Sequence, residues 1–217
     1  MEPVKRTYHA PIRERQAAQT RERIAEAALD EFSERGWAGA TVAAIAARAG
    51  VTPQAVYQTV GGKPALLIRA VETAVAGSAD DVMLADRPSF AAVYEPGLSR
   101  AQRIRAYTAA TADAYHRAAT LFLVLQDAAR SDPDAAKMAD AGAHRRLAET
   151  RRLAALLRPD SDESSIAALT DAIWVLAGPA VYADLVLRRH WTAERYRDFL
   201  EAMLGTAIST FDARRGE

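Results

Sequence analysis

The 217-residue sequence contains no cysteine. That excludes a disulfide framework and any chemistry that needs a thiolate. Glycine and proline are scarce, at 11 and 9 residues. With few breakers, long helices are possible. No apolar run approaches the roughly 18 residues of a membrane span. The first residues, "MEPVKRTYHAPIRERQ", lack the apolar stretch of a secretory leader. A cytoplasmic protein is the simple expectation. No alternating pattern is long enough for a strand, and there is no repeat or low-complexity tract. His-Glu-x-x-His and a glycine-rich phosphate loop are missing too. His9, His116, His144 and His190 show neither metal-ligand nor triad spacing. No metal and no cofactor are expected, and an all-α enzyme fits badly. The formal net charge is zero. That opposes a non-specific architectural DNA binder, whose affinity comes from neutralising phosphates.

What is present is alanine, the strongest helix former. Half of the chain is hydrophobic and 26% is charged, as in ordinary globular proteins. The neutrality hides a small asymmetry. Residues 1–64 carry nine basic and seven acidic side chains, and residues 65–217 carry 19 and 21. A faintly basic front and acidic back suggest different partners for the two parts.

Residues 1–17 show no periodicity and read as a mobile arm, with a helix from about Thr20 to Arg35 and a stop at Gly36. Thr41 is a plausible cap for a helix ending near Ala49. Gly50 can supply a positive φ without steric cost. Thr52 caps again, and Pro53 falls at a first helical position, where its missing N–H does no harm. That second helix ends near Thr59, and Lys63-Pro64 opens another. A connector with three breakers covers 86–99. Further helices are expected near 99–117, 119–131, 134–157, 163–188 and 192–213, with a kink at Gly178-Pro179. The expected fold is all-α.

Two short helices joined at a glycine, with a supporting helix before them, describe a helix-turn-helix. Ala46 is small enough for a close crossing, and Ile45, Val51 and Val56 form the apolar seam. Thr52, Gln54, Tyr57 and Gln58 then face outward. Short and amide side chains suit base edges, and a phenol suits a phosphate.

At this point the sequence resembles a known family, the tetracycline-repressor-like (TetR) transcriptional regulators. The resemblance runs over residues 23–67, "RIAEAALDEFSERGWAGATVAAIAARAGVTPQAVYQTVGGKPALL". Trp37 matches the aromatic after the first helix, Thr41 the opening of the second, Tyr57 the tyrosine of the third, and Lys63 the start of the fourth. Many members have His-Phe where this chain has Thr59-Val60, so packing there falls to Val60. The segment "GPAVYADLVLRRHWTAERYRDFLEAML" also looks like the closing helices of some members.

The resemblance implies an N-terminal three-helix DNA-binding domain, residues 1–64. It also implies a larger C-terminal helical ligand-binding and dimerisation domain, residues 65–217. The partners implied are a palindromic double-stranded DNA operator, a small-molecule effector and a second copy joined through the last two helices. Repression relieved by the effector is the expected activity. The candidate DNA contacts are Thr41, Arg48, Thr52, Pro53, Gln54, Tyr57, Gln58 and Lys63. For Thr41 the plainer alternative is a simple cap, for Arg48 an exposed charge, and for Tyr57 packing on the first helix. For the arm arginines Arg13 and Arg15, a minor-groove contact is set against an unordered tail. Tyr107, Phe122, Gln126, Met138, His144, Trp174 and Tyr182 are candidates for the effector pocket, each set against plain core packing.

Overall fold

The computed structural model describes residues 10–77 and 88–213, and among these every regular element is helical. Helix α1 spans Ala10–Gly39. It therefore replaces much of the expected arm; residues 1–9 lie outside the described residues. Pro11 stands in its first turn, and from there to Gly36 no breaker occurs. Residues 14–19 are exposed. Exposed as they are, they need no apolar stripe, so helical periodicity could not reveal them. Thr20, expected as a cap, is inside the helix; its hydroxyl donates to the Gln16 carbonyl at 2.9 Å. Gly36 does break the helix, with φ 64° and ψ −170°. That region is essentially reserved for glycine.

Helices α2 (Val42–Ala49), α3 (Pro53–Thr59) and α4 (Lys63–Ala76) follow the expected punctuation. A short α5 (Pro88–Ala91) and a 3-10 turn (Ala92–Tyr94) occupy the connector. Helix α6 is continuous over Arg100–Ser131, where two helices were expected. A capping box between Ser99 and Gln102 starts it. Helix α7 covers Pro133–Leu157.

The helix expected over 163–188 is broken rather than kinked. Helix α8 runs over Glu163–Leu176, Gly178 is extended, and α9 (Pro179–Tyr182) leads into a π-turn, Ala183–Arg188. Proline removes an N–H, which leaves the last carbonyls of α8 short of partners. Two side chains supply them. Arg146 of α7 donates to the Trp174 carbonyl at 3.2 Å, and the Tyr115 hydroxyl of α6 donates to the Ala177 carbonyl at 2.7 Å. Helix α10 (Ala193–Ala213) closes the described chain.

Two cores result. Ile24, Phe32, Ile45, Val56, Leu66 and Leu67 join Leu121 and Val124 of α6 in the first. Ile104, Tyr115, Leu153, Leu169, Ile173, Tyr182, Tyr196 and Leu200 form the heart of the second. Each fully buried large apolar side chain contributes about 1.5–3 kcal/mol. Helix α4 packs on α1, α6 and α7, so it reaches from one part to the other. Glu163–Arg188 also corrects an expectation from composition. It has a window of mean hydropathy 1.5, apolar and long enough to cross a membrane, of which 39% is buried. Its apolarity serves the second core on one side and remains uncovered on the other.

Candidate nucleic-acid interface

The site is built from three helix ends. Thr41, in extended conformation, accepts from the Ala44 N–H at 3.1 Å and so starts α2. Gly50 ends it at φ 66° and ψ 37°. The Val51 N–H reaches the Ala46 carbonyl at 3.0 Å and the Gly50 N–H reaches Ala47 at 3.2 Å. This paired closure satisfies carbonyls that would otherwise be orphaned. Thr52 then accepts from the Ala55 N–H at 3.2 Å, with Pro53 in the first turn of α3. Two caps with one glycine between them leave α2 and α3 no freedom to merge.

Ile45, Ala46 and Val56 are completely buried where α2 and α3 meet α1. Val60 packs on the same core from the end of α3. The opposite side of α3 is bare. Thr52, Pro53, Gln54, Tyr57 and Gln58 are all exposed. Tyr57 is 57% exposed, so it does not pack against α1. Positions 53, 54, 57 and 58 lie on one helical face by spacing. They make a ridge of amide, phenol and proline with no charge.

Arg48 and Lys63 are differently placed. Arg48 grips Glu34 of α1 through two bonds, at 2.7 and 3.0 Å, with Asp30 and Glu31 each at 3.5 Å. This hydrogen bond holds the Glu34 carboxyl below its ordinary value. The Lys63 ammonium lies 4.4 Å above the Trp37 ring, which stacks on Phe32. Burial lowers the Lys63 pKa, against a smaller opposing pull from Asp132. Both cations thus brace the framework behind the ridge.

One feature escaped the sequence. The N-terminal turns of α1 lie beside the end of α3, and Gln16, Ala17, Thr20, Arg21, Gln58 and Thr59 line an open cleft of about 400 Å³. The clue available was an unbroken row of helix formers after Pro11. Of the arm arginines, Arg15 is exposed on this same helix.

The residues expected around an effector do not all gather. Phe122 packs edge-on to Tyr115 at 5.7 Å, and Tyr115 likewise meets Tyr182. Tyr107 packs on the same core. Trp174 lies under Arg146, whose guanidinium is 3.4 Å from the ring centroid. Gln126 and His144 are exposed, and the ring of His144 bonds the Asp140 carbonyl of its own helix. Met138 is half-buried on α7. Tyr196, fully buried against Tyr182, belongs to the cluster although its place in α10 gave no sign of it. Among the described residues no group of three acidic or histidine side chains is placed to hold a metal.

Residues 24–70, which hold all of α2 and α3, match the model for bacterial regulatory proteins of the tetR family. That segment is of the tetR family of bacterial regulatory proteins. Solved structures agree with the fold over 88–97% of the chain. A candidate transcriptional regulator from Pseudomonas aeruginosa PAO1 superposes with a TM-score of 0.68 at 19% identity, covering 97% of this chain and 98% of its own. A candidate TetR-family regulator from Rhodococcus sp. gives 0.64 at 16% identity, with coverage of 88% and 98%. A TetR-like regulator from Rhodococcus sp. RHA1 gives 0.58 at 21%, with 88% and 96%. At such identities the likeness is one of fold. No curated protein matches the sequence.

Proposed function

We propose that this regulator is a homodimeric, sequence-specific repressor that a small-molecule effector releases from a palindromic operator. Residues 1–64 bind DNA, and residues 65–217 bind the effector and the second copy. The observation that carries the reading is the uncovered ridge of α3, held rigidly by caps at Thr41 and Thr52. Gln54 and Thr52 read base edges, and Tyr57 and Thr41 position the phosphate backbone. Arg48 is withdrawn from the contact set because Glu34 occupies its guanidinium. Lys63 acts at one remove, by holding Trp37. An α3 that enters a major groove brings the start of α1 along, so Arg15, Gln16 and Arg21 lie nearest the flanking phosphates.

Release needs a link between the two parts. A ligand shifts such an equilibrium only by binding one arrangement better than the other. Helix α4 is the natural lever. Its last carbonyls, Ala74 and Val75, accept from Arg117 of α6 at 2.9 and 3.0 Å, while its other end carries Lys63.

Selection from random DNA followed by mobility shift tests the reading. The expected product is a palindrome with half-sites about 34–36 Å apart, one helical turn. Gln54→Ala should relax preference at one base pair, with a loss of about 1–3 kcal/mol there. Tyr57→Phe should weaken all sequences evenly. Absence of any enriched sequence would overturn the proposal.

A further inference from the structure

Two tyrosines in the second core have hydroxyls without a partner. Tyr182 and Tyr196 are both completely buried, and neither oxygen makes a hydrogen bond. Their rings meet edge to face with centroids 4.8 Å apart. Tyr115 completes the cluster, but its hydroxyl is already used on the Ala177 carbonyl. A buried hydroxyl left unpaired costs about 1–3 kcal/mol. Most buried polar side-chain atoms are paired, so two orphans in one cluster require an explanation. Tyrosine could have been phenylalanine at both places, and apolar packing alone would then be better served.

The surroundings narrow what could satisfy them. Phe122, Ile173 and Leu200 belong to the same apolar cluster. Burial raises the pKa of both phenols, which keeps them protonated as donors. The missing partner is therefore an acceptor. Two charged groups act on the cluster. Arg146 is held over the face of Trp174, on its carbonyl and on the Tyr115 hydroxyl. Asp113 of α6 is the charged group that acts on Tyr182, and it would repel an anion. A charge buried without a partner is costly, so a neutral molecule fits better than a carboxylate. The chain beside Tyr182 can also move aside more easily than a regular helix. The Gly178-Pro179 break precedes it, and the π-turn Ala183–Arg188 follows. Such turns occur frequently at functional sites.

We propose that the effector occupies this tyrosine cluster and is an uncharged, planar aromatic carbonyl compound, its ring against Tyr115 and Phe122 and its oxygen accepting from Tyr182 and Tyr196. The proposal rests on the effector-release reading above, and it names the chemical class that the site selects.

The test uses the full-length protein without DNA. Acetonaphthone, naphthalene and naphthoate are titrated by calorimetry against wild type, Tyr182→Phe, Tyr196→Phe and the double variant. Acetonaphthone should bind wild type and lose about tenfold for each hydroxyl removed. Naphthalene should bind more weakly and equally to all four proteins, and naphthoate more weakly than acetonaphthone. Without ligand, the Phe variants should melt no lower than wild type, because each removes an unpaired donor. If an internal water holds the hydroxyls instead, the variants melt lower and bind acetonaphthone as wild type does, and the proposal falls. It also falls if acetonaphthone fails to bind wild type, or if naphthoate binds better. Binding is measured without an operator, so a failed DNA selection leaves these results standing. A probe that binds yet does not release a selected operator overturns the effector role of the cluster.

Discussion

Gly50 sets the angle between α2 and α3 through its backbone alone. A β-carbon there would meet nothing closer than the Arg23 guanidinium at 3.8 Å, so space is available. The conformation is not, because φ is 66°. Left-handed geometry costs an ordinary residue roughly 1–2 kcal/mol. Gly50→Ala should therefore lower unfolding stability by about that amount, measured by urea denaturation, and Gly50→Asn by less. A variant as stable as wild type would mean that the turn can be made another way. Gly50, Thr52 and Pro53 were legible in the sequence because each does one local job that its own chemistry dictates. Arg48 and Tyr196 were not. Arg48 has the same charge whether it faces a phosphate or Glu34, and only folding brings Glu34 to it across 14 positions. A missing hydrogen bond, as at the Tyr196 hydroxyl, is a tertiary fact with no trace in residue order.

At the scale of elements, the capped helices were legible and the shared ones less so. Helix α6 contains neither glycine nor proline, yet its apolar pattern reads as two helices. The cause is that it serves two cores. Ala118, Leu121, Val124 and Ala128 face the first, and Ile104, Ala112, Tyr115 and Ala119 the second. A stripe that changes partner half-way loses its phase, although the backbone runs on. The brace between α1 and α2 shows the same dependence on context, and it carries a pH signature. Glu34 has a folded pKa below its ordinary 4.5 because of its hydrogen bond to Arg48. A depressed folded pKa means stability that is fully present above the unfolded value and lost as pH falls through the folded one. Arg48→Gln should then be less stable than wild type at neutral pH, and the gap should narrow as the buffer is taken below 4.5. Urea midpoints at several pH values would show it. A gap that stays constant on acidification would remove Glu34 from the account. Both side chains are partly or largely exposed, so the effect is modest and weakens with salt.

For the whole molecule, the surface that matters is the outer side of α8 and α10. Leu200, Leu204 and Ile208 of α10 turn into the second core, while Ala202, Thr206 and Ser209 are exposed. On α8, Leu169 and Ile173 are buried, and Val175 stands 62% exposed beside half-buried Ala168 and Ala172. Small side chains on two neighbouring helices allow another pair of helices to approach closely. In the proposed homodimer, a two-fold partner covers it with the same surface of its own. Such pairing would also account for the apolarity of the Glu163–Arg188 segment, of whose most apolar window 39% is buried. Val175→Glu places a charge where the partner should lie, without touching either core. The expected result is a folded monomer, with an unchanged circular dichroism spectrum and at least a tenfold weaker dimer by sedimentation equilibrium, because a desolvated unpaired charge costs several kcal/mol. Operator affinity should fall with it, since a lone α3 reads only one half-site. Should Val175→Glu stay dimeric at low protein concentration, the copies pair elsewhere, and the spacing of the two recognition helices must be derived from that other surface.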